Sequence, residues 1–196
     1  MKRIFDIVAS GLGLIVLSPL FLVLAIWIKA DSRGPVFYRQ TRVGRGNRDF
    51  RLFKFRSMRI GSDRQGLITI GGHDPRVTRS GYYIRKYKLD ELPQLINVFL
   101  GDMSLVGPRP EVRKYVELYT PRQLHVLDVR PGITSLASIR YRNENDILAA
   151  SDDPDRCYIE KVLPDKLKID LEYVGKASFF YDIKLIFVTF WEILTK

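Results

Sequence analysis

Two adjacent carboxylates, Asp90 and Glu91, are the side chains of this sequence best suited to chemistry. They lie in the segment Lys88-Leu89-Asp90-Glu91-Leu92-Pro93-Gln94, where Pro93 favours a first helical turn because its missing N–H would be unpaired there anyway. The positive end of the helix dipole would help to keep Asp90 ionised, as a nucleophilic carboxylate must be. Acidic residues at a helix start more often serve only as caps, so the surroundings of the pair must distinguish the two interpretations.

Basic residues close to turn-forming residues recur along the chain and are suited to binding phosphate. Arginine offers a planar fork that matches phosphate oxygens, and a neighbouring proline fixes the backbone that carries it. The candidate phosphate-binding residues are Lys54, Arg56, Arg85, Arg109 and Arg130. Asp170 adds an acid on a predicted helix, either as an active-site group or as a salt-bridge partner. Each cation alone is typical of a solvated surface, but the set together favours a phosphate-bearing substrate.

Residues 4–28 form an apolar run that is long enough to enter a membrane. A spanning helix needs about 20 apolar residues, but Pro19 can bend a helix sharply and Ser18 can bind a backbone group released by the bend. Basic residues flank the run at Lys2, Arg3, Lys29 and Arg33. Because positive charge collects on the cytoplasmic side, we predict a re-entrant helical hairpin with its break at Ser18-Pro19. A kinked spanning helix is the alternative, and a cleaved signal peptide is disfavoured by the length of the run.

The composition limits the domain organisation and the partners. The chain of 196 residues has room for one compact domain, residues 31–196, after a membrane segment at 1–30. A net charge of +10 points to an anionic partner, and the membrane segment favours lipid and phosphate over nucleic acid. Cys157 is the single cysteine, which excludes an intramolecular disulfide and fits a cytoplasmic catalytic face. His73 and His125 lack metal-ligand spacing and are predicted to be structural or surface residues.

The rest of the chain predicts an α+β, predominantly helical fold. Strands at 36–40 and 50–55, joined by Gly44-Arg45-Gly46-Asn47, indicate a β-hairpin. Residues 61–81 are predicted to form a long loop. The other predicted elements are helices at 89–100, 111–127, 158–174 (interrupted by Pro164) and 179–194, with an irregular or extended segment at 128–145. The last helix is very apolar, which leaves open a core helix or an amphipathic helix at the membrane interface.

These motifs, in this order, resemble the bacterial sugar transferases, the monotopic phosphoglycosyl transferases that act on polyprenyl phosphate. The resemblance covers almost the whole chain, and the chain resembles the minimal catalytic form. It rests on Ser18-Pro19, Lys54 to Met58, Asp90-Glu91, Gly101-Asp102-Met103-Ser104-Leu105-Val106-Gly107-Pro108-Arg109-Pro110, Arg130-Pro131-Gly132-Ile133-Thr134 and Asp170-Leu171-Glu172-Tyr173-Val174. Many relatives continue with Gly-Trp-Ala-Gln-Val-Asn-Gly-Arg-Asn, whereas residues 135–143 here read Ser-Leu-Ala-Ser-Ile-Arg-Tyr-Arg-Asn. The resemblance therefore does not extend to the choice of sugar.

The resemblance implies transfer of a phosphosugar from a UDP-sugar to undecaprenyl phosphate at the cytoplasmic face of the bacterial inner membrane. It assigns Asp90 as the nucleophile that attacks the β-phosphorus, expels UMP and forms a phosphosugar–aspartyl intermediate. Glu91 is expected to orient the metal or a neighbouring cation. Mg²⁺ is the expected cofactor, bridging Asp90 and phosphate oxygens. Membrane lipids are expected partners, nucleic acid is not, and a homodimer is left open.

Two other classes of protein compete with this interpretation. A membrane-anchored basic module that binds lipid or nucleic acid without catalysis would also explain the charge. Nucleic-acid modules usually carry a basic stripe with interleaved aromatics or a known reading element, and the sequence has neither. A processive glycosyltransferase that moves only the sugar would release UDP instead of UMP.

Overall fold

The computed structural model describes residues 1–62 and 74–194 and has the predicted α+β, predominantly helical fold. In chain order the elements are α1 (Lys2–Asp31), β1 (Phe37–Val43), β2 (Asp49–Phe55), α2 (Arg79–Lys86), α3 (Gln94–Leu100), β3 (Ser104–Val106), α4 (Arg113–Val116), β4 (Gly132–Thr134), α5 (Leu136–Arg140), α6 (Glu144–Ala149), α7 (Pro154–Cys157), α8 (Leu163–Lys176) and α9 (Phe179–Leu194). Residues 63–73 of the predicted loop, with His73, lie outside the described part of the chain. The loop ends earlier than predicted, because Thr78 caps α2 through the amide of Gly81.

The helix α1 is continuous over 30 residues and contains Pro19. A helix of this length extends about 45 Å. Pro19 deprives the carbonyl of Ile15 of its usual amide donor, and Ser18 Oγ donates to that oxygen at 2.7 Å. The hydroxyl therefore compensates for the proline, and α1 does not end at Ser18-Pro19. The re-entrant hairpin stays a prediction.

One side of α1 packs on the domain, and the other side is apolar and exposed. Leu24 and Ile28 are buried in a cluster with Phe55 and Ile84. The exposed apolar residues include Ile4, Val8, Leu12, Ile15, Val16, Leu22, Val23 and Ile26. In the described ranges, α1 is the single helix whose length and hydropathy would allow it to cross a membrane. An exposed apolar face of this extent indicates contact with a membrane or another apolar partner.

Both ends of α1 are attached to the same domain. At the N-terminal end, Lys2 Nζ pairs with the carboxylate of Asp182. Arg3 donates to the carbonyl oxygens of Val98, at 2.6 Å, and Phe99, at 2.9 Å. At the C-terminal end, the guanidinium of Arg56 contacts main-chain carbonyls of α1 and of the residues that follow it. The helix therefore lies along the domain and is held at each end.

The predicted β-hairpin is confirmed, with longer strands than expected. β1 and β2 pair in antiparallel register from Phe37 opposite Phe55 to Val43 opposite Asp49. Gly46, in the turn, has φ +67°, a left-handed conformation that glycine adopts readily. The hairpin carries Lys54 towards the carboxylate pair.

A second pair of short strands is parallel and joins the two motifs at residues 101–110 and 130–134. β3 pairs with β4, with Ser104 beside Gly132. A Cβ atom added at Gly107 or Gly132 would overlap backbone atoms of the opposite segment, so this crossing requires glycine on both chains. The crossing fixes the backbone just before Arg109.

The predicted helix at 111–127 is wrong. The structure has only α4 and a 3₁₀ helix at Gln123–Asp128 in this range. Pro121 disfavours helical backbone at the residue before it, so the two helical turns cannot merge. His125 lies in the second turn and pairs with Asp128 at the surface.

Two further expectations about helices need correction. Residues 128–145, predicted to be irregular or extended, include the short strand β4 but also the helix α5, which was not predicted. Ser135 caps α5 by accepting a hydrogen bond from the amide of Ser138 at 2.8 Å. Pro164 does not interrupt its helix. It lies in the first turn of α8, where proline needs no hydrogen-bond donor, after a π-helical turn at Tyr158–Val162.

The last helix, α9, is confirmed at 179–194 and has two different faces. Asp182 and Leu185 are buried against the domain, whereas Phe180, Phe187 and Trp191 are exposed. Large exposed aromatics on one side of a helix are typical of a membrane-interface helix.

Candidate active site

Asp90 and Glu91 lie in a 3₁₀ turn, Leu89–Glu91, that precedes α3. Pro93 is the N-cap residue of α3, so the predicted single helix over 89–100 is divided at this point. Lys88 adopts a left-handed backbone with φ +57° and turns the chain from α2 into the 3₁₀ turn. The carboxylate pair therefore lies just before the helix, not within its first turn.

Glu91 is paired with two cations. Its carboxylate accepts hydrogen bonds from both terminal nitrogens of Arg109, with Nη1 to Oε2 at 3.1 Å. Lys54 Nζ lies 3.5 Å from Oε1 of the same carboxylate. Burial alone would raise the pKa of Glu91, but the charges of Arg109 and Lys54 outweigh it and hold this pKa well below its ordinary range. Glu91 is therefore ionised and orients both cations.

Asp90 has a different environment from its neighbour. Its exposed fraction is 8%, and within the described part of the chain its carboxylate forms no ion pair closer than 4 Å. Burial raises the pKa of Asp90; the charge of Lys54 opposes the shift, and that of Glu91 adds to it. This direction is opposite to the one expected from the helix dipole, because burial is stronger and Asp90 lies outside the helix.

The pKa values of the two cations, Lys54 and Arg109, are shifted by the same contacts. Burial lowers the pKa of Lys54, and the charge of Glu91 opposes that shift. The charge of Glu91 raises the pKa of Arg109, so Arg109 stays fully protonated. Arg85, in the last turn of α2, is close enough for its charge to lower the pKa of Asp90. The structure thus brings together the carboxylate pair, Lys54, Arg109 and, at longer range, Arg85.

Two predicted phosphate-binding residues lie elsewhere. Arg56 is buried against the C-terminal end of α1. Arg130 uses its Nε to donate to the carbonyl of Gly101 at 2.9 Å and lines an open groove beside the β-hairpin turn. Neither arginine shares a hydrogen bond or ion pair with Glu91 among the described contacts.

Asp170 lies on α8, outside the contacts around Glu91. It is 5% exposed, and no described residue forms a hydrogen bond with its Oδ1 atom. Burial raises the pKa of Asp170 to about 7, although the charge of Lys166 opposes the shift. Asp170, Lys166 and Arg109 all line one small cavity.

The sequence analysis missed a polar network on the wall of this cavity. Glu111 accepts hydrogen bonds from Arg42 Nη1 at 3.3 Å and from the hydroxyl of Tyr158 at 2.5 Å. Glu111 directly follows Pro110 in the motif around Arg109, and that position was the one available signal. The network fixes the segment after Arg109 to β1 and to the π-helical turn.

The donor set suits a magnesium ion held largely by substrate. Among residues 1–62 and 74–194, no group of three or more His, Cys, Asp or Glu side chains could hold a metal. Glu91 is engaged by two cations, which leaves Asp90 as the available protein carboxylate. Mg²⁺ in phosphate-transfer sites is usually bound by one or two carboxylates together with substrate phosphates and water. The residues present therefore fit Mg²⁺ that binds with a phosphorylated substrate.

A buried carboxylate beside two ordered cations is suited to phosphate chemistry, and the long exposed apolar helix on the same domain is compatible with membrane association. The chain belongs to the bacterial sugar transferase family, whose model matches residues 1–196.

Characterised and named relatives support this assignment. The chain is 42% identical to a UDP-N-acetylgalactosamine-undecaprenyl-phosphate N-acetylgalactosaminephosphotransferase of Aeromonas hydrophila, covering 100% of this chain and 44% of that protein. It is 39% identical to a UDP-glucose:undecaprenyl-phosphate glucose-1-phosphate transferase of Escherichia coli (strain K12), covering 98% and 40%. The chain thus spans less than half of these two relatives. It is also 39% identical to the exopolysaccharide production protein PSS of Rhizobium leguminosarum bv. phaseoli, covering 100% and 96%.

Proposed function

We propose that this protein moves a phosphosugar from a UDP-sugar to undecaprenyl phosphate and releases UMP, as the first membrane step in assembling a bacterial glycoconjugate. The relatives' names supply the donor and acceptor classes. The observation that carries the proposal is the division of labour in the carboxylate pair. Glu91 binds Arg109 and Lys54, while Asp90 beside it forms no ion pair with any residue that the structure describes.

In the first step, a carboxylate oxygen of Asp90 attacks the β-phosphorus of the donor. The new oxygen–phosphorus bond forms as the bond to the bridging oxygen breaks, and UMP leaves with that electron pair. The enzyme then holds the phosphosugar as a mixed anhydride of Asp90. Arg109 and Lys54 are positioned to bind the phosphate oxygens whose charge increases in the transition state.

In the second step, a phosphate oxygen of undecaprenyl phosphate attacks the same phosphorus. The bond to Asp90 breaks, the carboxylate is regenerated, and a polyprenyl diphosphate sugar is formed. Two anionic substrates repel each other strongly, and a covalent intermediate allows them to occupy the site in turn.

Glu91 acts as the residue that holds the cations in place before the donor arrives. Because Glu91 already orders the side chains of Arg109 and Lys54, the diphosphate does not have to immobilise them when it binds. Asp90 and the donor phosphates would hold Mg²⁺, which when bound neutralises phosphate charge.

We also propose that α1 is a re-entrant membrane helix with both ends on the cytoplasmic side. Its exposed apolar face supports contact with lipid, and its attachment to one domain at Lys2 and at Asp31 supports a common side for both ends. An acceptor phosphate at the head-group level could then reach Asp90 while its polyprenyl chain stays in the bilayer. Basic residues near the surface add about 1 kcal/mol each on an anionic membrane.

The proposal is tested by incubating the purified full chain with a panel of UDP-sugars and undecaprenyl phosphate in detergent or vesicles. We expect UMP and a lipid-linked diphosphate sugar from at least one donor. Release of UDP would instead identify a glycosyltransferase that moves only the sugar. Membrane binding without nucleotide release from any donor would favour a non-catalytic basic module.

A further inference from the structure

Arg56 binds the C-terminal end of the membrane helix. Its side chain is 5% exposed, and its guanidinium donates to the carbonyl oxygens of Ile28 at 3.3 Å, Ser32 at 2.7 Å, and Arg33. The last carbonyls of a helix have no intrahelical donor, and they form the negative end of its dipole. A buried cation from a different segment therefore binds the last turn of α1 and the two residues that follow it.

The same end of α1 caps a second helix. Asp31, the last residue of α1, accepts hydrogen bonds through Oδ2 from the amide of Ser80 at 2.8 Å and from its hydroxyl at 2.7 Å. Ser80 lies in the first turn of α2, where backbone amides lack helical partners. The negative charge of the Asp31 carboxylate also interacts favourably with the positive, N-terminal end of the α2 dipole.

Both contacts lead directly to the proposed active site. Lys54, which pairs with Glu91, lies two residues before Arg56 on the same segment. Ser57, the next residue, accepts a hydrogen bond from the amide of Thr78 at 3.1 Å. The segment 54–57 therefore contacts the catalytic turn, the end of α1 and the start of α2 in succession.

A second short connection runs from the end of α1 through α2 to Asp90. A Cβ atom at Gly81 would overlap the carbonyl of Ser57, so α2 is in direct backbone contact with this segment. From α2 the chain passes through the left-handed Lys88 to Asp90. A shift of the end of α1 would therefore be transmitted both to Lys54 and to Asp90.

We propose that Arg56 and Asp31 form a clamp that sets the active-site geometry from the position of the membrane helix. In this inference, which rests on the proposed function, both are positioning residues that act through Lys54 and Asp90 without touching substrate. The bilayer fixes the depth of α1 through its exposed apolar face, and the clamp makes the spacing of Lys54 and Asp90 depend on that depth. Misplacement by about 1 Å can cost about 100-fold in rate.

The clamp itself can be tested without any activity measurement. Trp27, on α1, lies 5.9 Å from the ring of Tyr83 on α2, so its fluorescence reports the junction of the two helices. In a Trp191→Phe background, the protein is placed in phosphatidylethanolamine–phosphatidylglycerol vesicles with and without brominated lipid. We expect Arg56→Gln and Asp31→Asn to shift Trp27 emission and change its quenching by the brominated lipid, and Arg56→Lys to shift both less. Unchanged Trp27 signals in Arg56→Gln and Asp31→Asn would overturn the clamp.

The link to the active site is tested by the rate of phosphosugar-adduct formation with donor alone. We expect Arg56→Gln and Asp31→Asn to lower this rate about 10- to 100-fold per folded molecule. The donor KM should change much less, because neither residue binds the donor, and Arg56→Lys should recover part of the rate. Leu148→Ala is the matched control, because it opens a core cluster that contains no residue of α1, α2 or segment 54–57.

The outcomes separate the two proposals. If wild-type protein forms neither adduct nor UMP with any UDP-sugar, the proposed function fails, while the Trp27 measurement still decides whether the clamp exists. If wild type is active and Leu148→Ala, matched for loss of thermal stability, lowers the adduct rate as much as Arg56→Gln, the positioning role is overturned. An unaltered adduct rate in Arg56→Gln and Asp31→Asn would overturn it equally.

Discussion

The carboxylate of Glu91 accepts both terminal nitrogens of Arg109, which lies 18 residues further along the chain. This forked contact joins the turn that carries Asp90 to the loop after β3. Lys54 binds the same carboxylate from the β-hairpin, so three separate segments meet at Glu91. The site is therefore ordered around Glu91, the carboxylate that the proposed mechanism leaves unreacted.

Replacing Arg109 tests the role of this cation. Arg109→Ala should lower turnover about 100- to 1,000-fold, the usual cost of removing one donor to a developing anion. Arg109→Lys should lose less, because it keeps the charge but not the fork that binds Glu91. Arg122→Ala, at an exposed position, serves as the control and should leave turnover near wild type. Equal losses at Arg109 and Arg122 would mean that Arg109 contributes only general charge.

Metal dependence is the second prediction. Glu91 is occupied by two cations, so the divalent ion must bind mainly through Asp90 and the donor phosphates. Turnover should vanish in excess EDTA and return on addition of Mg²⁺, while the thermal unfolding temperature without donor stays nearly constant. Full activity in EDTA would remove the metal from the mechanism.

The third prediction concerns the topology of α1. A cysteine placed before Met1 and a cysteine at Asp152, an exposed position in the domain, should label from the same face of oriented vesicles in a Cys157→Ser background. This design keeps Lys2, which pairs with Asp182. Labelling of the two sites from opposite faces would establish an ordinary kinked spanning helix.

A double substitution at Ser18 and Pro19 tests whether these two residues determine the topology of α1. Ser18→Ala with Pro19→Ala replaces the hydroxyl contact to the Ile15 carbonyl by a normal helical hydrogen bond and removes the residue at which α1 bends most easily. Some molecules should then span the bilayer, which would move the N-terminal cysteine to the far face and lower activity. An unchanged labelling pattern in this variant would show that Ser18-Pro19 does not determine the topology.

How far the sequence predicted the molecule can be judged from individual residues. The β-hairpin and α9 followed from local patterns, because turn chemistry and apolar periodicity are local properties. Arg56 and Lys54 could not be told apart, since two basic residues on one segment differ only in which distant element each one meets. Likewise, the dipole argument for Asp90 gave the wrong direction for its pKa, because burial depends on tertiary structure.

The fourth prediction concerns the effect of Asp170 on stability. Burial raises its pKa from an ordinary value of 3.8 to about 7. Between these values the unfolded chain has lost a proton that the folded protein keeps, so this residue makes stability fall as pH rises from about 4 to 7. Asp170→Asn mimics the protonated acid and should stabilise the protein at pH 8 by up to about 4 kcal/mol, because each pKa unit corresponds to about 1.4 kcal/mol.

The pH dependence of the stability difference between wild type and Asp170→Asn serves as the control for this prediction. At pH 4 the wild-type side chain is protonated in the fold, so the difference between wild type and Asp170→Asn should shrink. Thermal unfolding followed by circular dichroism at several pH values measures both quantities. A variant that is less stable than wild type at pH 8 would mean that the ionised form of Asp170 stabilises the fold.

The covalent intermediate on Asp90 is the central claim, and intact-mass spectrometry with the donor alone tests it most directly. Wild-type protein incubated with its UDP-sugar, without lipid acceptor, should gain the mass of one phosphosugar, and peptide mapping should locate it at Asp90. Asp90→Asn should show neither adduct nor turnover, whereas Glu91→Gln should turn over slowly and retain some adduct, because it loosens Arg109 and Lys54 but keeps the nucleophile. An adduct on another residue, or near wild-type turnover in Asp90→Asn, would contradict the mechanism.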